Sequence, residues 1–171
     1  MNLRLREYRE TDYEDCRSLW GELTQHHADL YKAPSIAGKD PGRGFDEYLG
    51  RVDRCGTWVA ENDGKIVGFA GLLDTVGEEG TGDLEPVVTR ETFRGKGIGT
   101  RLIELVIDKA KEKGFRFLTI KPEVRNERAF SLYVRLGFNH VGSIELFQEL
   151  FPKPERKWKS GLEIHGKSLT Y

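Results

Sequence analysis

The chain has 171 residues, of which 37% are hydrophobic and 32% charged, and its formal net charge is −1 at pH 7. These values are typical of a globular protein with a charged surface, and we expect a single domain over residues 1–171. A near-neutral charge argues against general nucleic-acid binding, which usually accompanies a basic surplus. No apolar run approaches the roughly 20 residues of a membrane helix, and the N-terminal residues lack a signal-peptide core, so we expect a cytoplasmic protein.

Metal and thiol chemistry find little support in the sequence. Cys16 and Cys55 are the only cysteines, which is too few for a disulfide framework or a zinc site. The histidines lack the spacing of metal ligands, and they stand at His26, His27, His140 and His165. We therefore expect no metal, and we expect Cys16 to be a buried thiol on the apolar face of a helix.

The first half of the chain predicts two helices between three strands. Leucine and arginine alternate near the N-terminus as in a strand, and apolar residues then recur at three- and four-residue steps as in a helix. The segment Asn62-Asp63-Gly64 is a tight-turn signal between two apolar runs. In chain order we predict a strand over 3–8, a helix over 13–27, a loop over 32–44, a short helix over 45–52, and strands over 57–61 and 65–73.

The second half predicts strands that alternate with helices. Its most regular helix has Ile98, Leu102, Leu105, Val106 and Ala110 on one face, and Gly114 ends it. In chain order we predict a turn over 77–82, a strand over 83–89, helix 97–113, strand 115–120, helix 126–136, strand 138–150, a loop over 152–161 and a last strand over 162–171. This order predicts an α+β fold, with a mixed, mostly antiparallel sheet of six to seven strands and helices on both faces.

A glycine-rich segment at the start of the most regular helix is the strongest functional signal. It reads Arg94-Gly95-Lys96-Gly97-Ile98-Gly99-Thr100. A helix start offers unpaired N–H groups and a positive dipole end, so it favours a phosphate-bearing ligand. The segment contains no Walker A string, and Thr100 stands where a dinucleotide fingerprint requires a final glycine.

Two motifs together resemble the GCN5-related N-acetyltransferase (GNAT) superfamily. Arg94, Gly97 and Gly99 match its Arg/Gln-x-x-Gly-x-Gly/Ala loop. One strand later, the segment from Asn126 to Phe138 is similar to its Asn-x-x-Ala-x-x-x-Tyr-x-x-x-Gly-Phe motif. With the strand order, the resemblance covers nearly the whole chain and is most specific over residues 83–138.

The resemblance implies that acetyl-CoA is the acyl donor. Backbone N–H groups of the glycine-rich segment would surround the pyrophosphate, and the pantetheine arm would lie like an added strand beside the preceding strand. Asn126 would contact the cofactor and cap its helix, while Arg125 and Arg128 are candidates for the outer phosphate. The implied cofactor-binding residues are Val87, Val88, Thr89, Arg94, Gly95, Lys96, Gly97, Ile98, Gly99, Thr100, Asn126, Arg128 and Tyr133.

The resemblance also implies two catalytic residues. Glu85 stands where related enzymes carry a glutamate that accepts a proton from the amine, and Asp83 on the same strand is the alternative. Tyr133 stands where the family places a hydroxyl that protonates the departing thiolate, although its helical stripe equally fits a core tyrosine. Pro86 is unusual within a strand, and a β-bulge there would accommodate it.

These features predict an N-acyltransferase that acts on a small-molecule or peptide amine by direct attack. A non-catalytic acyl-CoA-binding module on the same fold is the alternative. Acidic residues near one hairpin favour a cationic amine, and they are Asp74, Glu78, Glu79, Asp83 and Glu85. The final strand could also pair with a second copy of the chain in a homodimer.

Overall fold

The computed structural model describes residues 2–75, 80–151 and 158–171. Within these ranges it contains four helices and seven strands. The helices are α1 (Tyr13–Tyr31), α2 (Arg43–Leu49), α3 (Ile98–Glu112) and α4 (Glu127–Arg135). The strands are β1 (Leu3–Glu7), β2 (Arg54–Asn62), β3 (Lys65–Asp74), β4 (Thr81–Thr89), β5 (Phe117–Thr119), β6 (Ser160–Ile164) and β7 (Lys167–Thr170).

The central sheet has the order β1-β2-β3-β4-β5. Its first four strands pair antiparallel, and β4 and β5 pair parallel, as a strand–helix–strand crossover through α3 requires. The turn at Asp63 and Gly64, which both have positive φ, joins β2 to β3 as the sequence predicts. The α+β class with a mixed sheet is therefore confirmed.

Helices cover both faces of the sheet. Successive side chains of the central strands point to opposite faces, so these strands contribute to two cores. On one face, Cys16 and Leu19 of α1 and Phe45 of α2 pack against the sheet at Val59 and Phe69. On the other face, the apolar stripe of α3 packs against the same strands, with partly buried residues of α4 beside it. Cys16 is fully buried, and burial raises the pKa of its thiol, so the expectation of an inert core cysteine is confirmed.

The C-terminal part of the chain departs from the sequence prediction. Residues 138–149 form no strand, and many of their apolar side chains are exposed, including Val141 and Leu146. The predicted last strand is instead a hairpin of β6 and β7 that turns at His165 and Gly166. The central sheet therefore holds five strands in the described ranges rather than six or seven, because an apolar segment forms a strand only where a neighbouring backbone completes the ladder.

Parts of two other predictions lie outside the described residues. These are half of the predicted turn over 77–82, with Glu78 and Glu79 of the acidic group, and most of the loop over 152–161. Across the described parts of the chain, no helix combines the length and apolar character needed to cross a bilayer.

A buried ion pair ties β1 to the start of α1. The Arg6 guanidinium donates to both carboxylate oxygens of Asp12, at 2.7 and 2.8 Å, and to Glu61 on β2 at 2.8 Å. The backbone N–H of Arg9 donates to Asp12 Oδ2 as well, at 2.8 Å. Asp12 is buried, and the hydrogen bonds from Arg6 lower the pKa of its carboxyl below the ordinary value.

We expect Arg6→Met to destabilise the fold by about 3–5 kcal/mol, because it leaves the Asp12 carboxylate buried without its counter-charge. The pairing lowers the folded-state pKa of Asp12, so its stabilisation is present above the ordinary pKa and lost as the pH falls through the folded value. Urea unfolding at a series of pH values measures both effects. Arg43→Met removes an exposed pair with Glu47 and should cost less than about 1 kcal/mol; an equal loss in the two variants would contradict the assignment.

Candidate functional site

A β-bulge in β4 lies at the centre of the sheet. Ala70 pairs with Val87 and Leu72 pairs with Leu84, so Gly71 alone faces two residues, Glu85 and Pro86. A Cβ at Gly71 would lie 2.1 Å from Tyr48 Oη and 2.5 Å from the Glu85 carbonyl oxygen, so only glycine fits here. The bulge predicted from Pro86 is therefore present.

Below the bulge, β4 and β5 are paired, and beyond it they are not. The pairing covers Thr81–Asp83 of β4 and Phe117–Thr119 of β5, where β5 ends. Asp83 closes this paired end, because its carboxylate accepts from Thr119 Oγ1 at 3.1 Å and forms an ion pair with Lys121. From Leu84 to Thr89, the edge of β4 that faces away from β3 has no strand partner among the described residues.

The glycine-rich segment follows this open edge and leads into α3. Gly95 and Gly97 have φ of +81° and +79°, a left-handed conformation that glycine adopts readily. The first intrahelical bond runs from Arg101 N to Gly97 O. Within the described part of the chain, the six N–H groups from Gly95 to Thr100 donate to no protein atom. The segment thus presents a row of donors at a helix N-terminus, which is an arrangement suited to pyrophosphate.

Three cationic side chains lie on or near this segment. Arg94 Nε donates to Thr89 O at 3.3 Å, which fixes the side chain at the end of β4. Lys96 Nζ lies 4.7 Å from the centroid of the Phe93 ring. A Cβ at Gly95 would lie 3.2 Å from an Nη atom of Arg128, so α4 brings this exposed guanidinium to the loop. Arg94 and Lys96 thus lie on the segment and Arg128 lies beside it, and their role in binding a cofactor stays a prediction.

Helix α4 packs Tyr133 against the core that contains Leu84 of β4 and Ile98 of α3. Asn126 caps this helix, as its side-chain oxygen accepts from Ala129 N at 3.1 Å. The Tyr133 ring packs edge-on against Phe138, and burial raises the pKa of its hydroxyl to about 12. Because its pKa is raised, the hydroxyl keeps its proton at neutral pH. It makes no hydrogen bond within the described residues, so it can donate that proton to a ligand.

The two candidate bases lie in different surroundings. Asp83 is buried and committed to Thr119 and Lys121. Glu85 is exposed at the bulge, and its carboxylate has no hydrogen bond or ion pair in the described ranges. Arg51, whose pKa is raised first by its hydrogen bond to Asp53, also lies in the electrostatic field of both residues. Of the two, Glu85 has the carboxylate that is available to a ligand.

The contact between the end of α1 and the loop that joins β5 to α4 was not found by reading the sequence, because its two residues lie far apart in the chain. Tyr31 Oη donates to Glu123 Oε2 at 2.6 Å, which joins the end of α1 to the loop between β5 and α4. Arg125, a candidate for the outer phosphate, is instead buried; it donates to Leu30 O and Tyr171 O and lies over the Tyr31 ring. The one sequence feature that marked this end of α1 was the pair His26-His27.

Comparisons with known proteins identify the family of this chain. The acetyltransferase (GNAT) family matches residues 7–138. An uncharacterised N-acetyltransferase of Methanocaldococcus jannaschii is 32% identical over 114 residues, which is 56% of this chain and 50% of that protein. The chain spans about half the length of such curated relatives.

Two solved structures share the fold. An acetyltransferase of Trypanosoma brucei is 26% identical with a TM-score of 0.63, covering 87% of this chain and 100% of that one. An aminoglycoside N-acetyltransferase solved in complex with CoA is 22% identical with a TM-score of 0.65, covering 88% of this chain and 96% of that one. The chain described here belongs to the acetyltransferase (GNAT) family.

We expect Gly97→Val to weaken CoA binding at least about tenfold, because the side chain crowds the row of N–H donors. Gly114→Val is the matched control: Gly114 ends the same helix with φ +82°, and at both glycines a Cβ meets nothing within 4 Å. Both variants carry the same backbone strain, of about 1–3 kcal/mol, so thermal unfolding should show similar losses. Calorimetric titration with CoA measures the difference, and equal affinities in the two variants would refute the assignment.

Proposed function

We propose that this chain transfers the acetyl group of acetyl-CoA to a primary amine by direct attack within a ternary complex. The observation that carries the proposal is the row of unbonded N–H groups from Gly95 to Thr100, next to the open edge of β4. A pyrophosphate needs several convergent donors, and an extended acyl arm needs a free strand edge. The protein has both of these features side by side.

The residues fit CoA in a defined order. The loop amides and Arg94, Lys96 and Arg128 would hold the phosphates, and the backbone from Val87 to Thr89 would hold the pantetheine arm. Val87 and Val88 face opposite sides of the sheet, and both are anchored in the cores, so this edge is rigid. The arm would then end at the bulge of Glu85 and Pro86, where the ladder to β3 is interrupted.

The reaction requires a proton to leave the amine. An ammonium with a pKa of about 10.4 is almost entirely protonated at pH 7, and only its neutral form is a nucleophile. The exposed carboxylate of Glu85 would accept that proton, directly or through water. The hydroxyl of Tyr133 would donate a proton to the thiolate of CoA as the carbon–sulfur bond breaks and the amide bond forms.

A thiol-release assay with acetyl-CoA and a panel of amines tests the function, and Tyr133→Phe tests its acid. We expect the variant to lose about 10²-fold or more in kcat with little change in KM, since it removes one proton donor and keeps the ring. Packing against Phe138 is retained, so thermal stability should hold. Turnover equal to the wild type would remove Tyr133 from the mechanism. Acetyl-CoA binding without turnover on any amine would favour the non-catalytic alternative.

Glu85→Gln and Asp83→Asn should separate catalysis from stability. We expect Glu85→Gln to lower kcat/KM by about 10²-fold or more while changing stability by less than about 0.5 kcal/mol, because the side chain is exposed. Asp83→Asn should cost about 1–3 kcal/mol through its buried contacts with Thr119 and Lys121. Its kcat per folded molecule should remain close to that of the wild type. Urea unfolding and the thiol-release assay give both quantities, and the reverse pattern would make Asp83 the base.

A further inference from the structure

The second half of α1 bridges the diverging ends of β4 and β5. Glu22 accepts from Arg90 Nη1 at 2.8 Å and from Glu91 N at 3.0 Å, just after β4. Tyr31, nine residues further on, donates to Glu123 after β5. Helices α1 and α2 cover the sheet face opposite to α3, whose N-terminus carries the phosphate loop. An acceptor that reaches a thioester bound along β4 past the end of α1 would meet the loop after β5.

Glu123 is a partly buried carboxylate without a cationic partner. Its only hydrogen bond within the described residues is the one from the neutral hydroxyl of Tyr31, and it forms no ion pair there. The neighbouring Arg125 is committed to the carbonyl oxygens of Leu30 and Tyr171 and to the Tyr31 ring. A carboxylate that has lost part of its hydration gains from any cation that reaches it.

His27 does not supply this cation at neutral pH. It lies one helical turn before Tyr31, and burial lowers the pKa of its imidazole, although the nearby Glu123 carboxylate opposes this shift. The groups near it are His26 and Tyr31 on α1 and Glu123 from the loop after β5, with Arg125 over the Tyr31 ring. Among the described residues, no cationic side chain therefore forms an ion pair with Glu123.

We propose that Glu123, oriented by Tyr31, binds a second cationic group of the acceptor, so that the preferred acceptor is a diamine or polyamine. This inference rests on the proposed function and names its substrate class. One nitrogen would lose its proton near Glu85 and attack the thioester. The other nitrogen keeps its charge and pairs with Glu123, which follows β5, whereas Glu85 lies within β4. Protonation of His27 at lower pH places a competing positive charge beside Glu123.

The test uses two acceptors that differ by one ammonium group, 1,4-diaminobutane and n-butylamine. Each is titrated calorimetrically into the CoA-saturated chain and assayed for thiol release with acetyl-CoA. We expect the diamine to bind on the order of 10- to 100-fold more tightly, the range of a charge-assisted hydrogen bond. Glu123→Gln should remove that preference through KM and leave butylamine kinetics unchanged, and Tyr31→Phe should reduce it in part.

Two controls keep the outcome specific. Glu104→Gln removes the same charge from an exposed position on α3 and should leave the preference intact. The diamine KM should rise as the pH falls through the pKa of His27, below its ordinary value of 6.5, and this rise should be absent in His27→Gln.

The outcomes separate this inference from the proposed function. Equal binding of the two amines, or equal losses for both in Glu123→Gln, would overturn the assignment of Glu123 even if turnover is fast. Diamine binding that depends on Glu123 without thiol release would support the site and overturn the acetyltransferase function.

Discussion

The divergence of β4 from its parallel neighbour β5 is the constraint on which the rest of the structure depends. Gly71 leaves no room for a side chain between Tyr48 and the backbone of Glu85, so β4 passes this point only as a bulge. Asp83 holds the paired end closed through Thr119 and Lys121. Beyond it the two strands are no longer paired, and β4 leads directly to the N–H groups at the start of α3, which have no partner among the described residues.

The charges around this opening follow from where each carboxylate lies. Asp83 is occupied by the contacts that join β4 to β5, whereas Glu85 is exposed at the bulge. Tyr133 approaches from α4 with its proton retained, because burial raises its pKa to about 12. The proposed acyl transfer to an amine requires a proton acceptor and a proton donor, and Glu85 and Tyr133 would supply them from different elements.

Local patterns in the sequence predicted most of the structural features around the glycine-rich segment. The glycine-rich loop, the stripe of α3 and the Asn126 cap each depend on residues within one or two turns, so their geometry follows from spacing alone. The bulge at Pro86 was predictable for a similar reason, since proline lacks the N–H that a strand interior needs.

The remaining features depend on contacts between distant segments. Residues 138–150 are rich in apolar side chains and were predicted to form a strand, yet no ladder in the described structure includes them. The bond between Tyr31 and Glu123 spans 92 positions in the chain and exists because α1 crosses the ends of two strands. Arg125 resembled a phosphate ligand in sequence, but the same crossing buries it against Leu30 and Tyr31. Neither periodicity nor motif spacing reports such a crossing.

Amide hydrogen exchange with and without acetyl-CoA tests the central claim most directly, because it reports which backbone N–H groups a ligand covers. We expect acetyl-CoA to slow exchange in two segments, which are residues 84–89 along the open edge of β4 and residues 94–100 at the start of α3. Exchange in β1 and in the β2–β3 turn should not change. Unchanged exchange in both segments at saturating acetyl-CoA, or protection confined to another part of the chain, would contradict this claim.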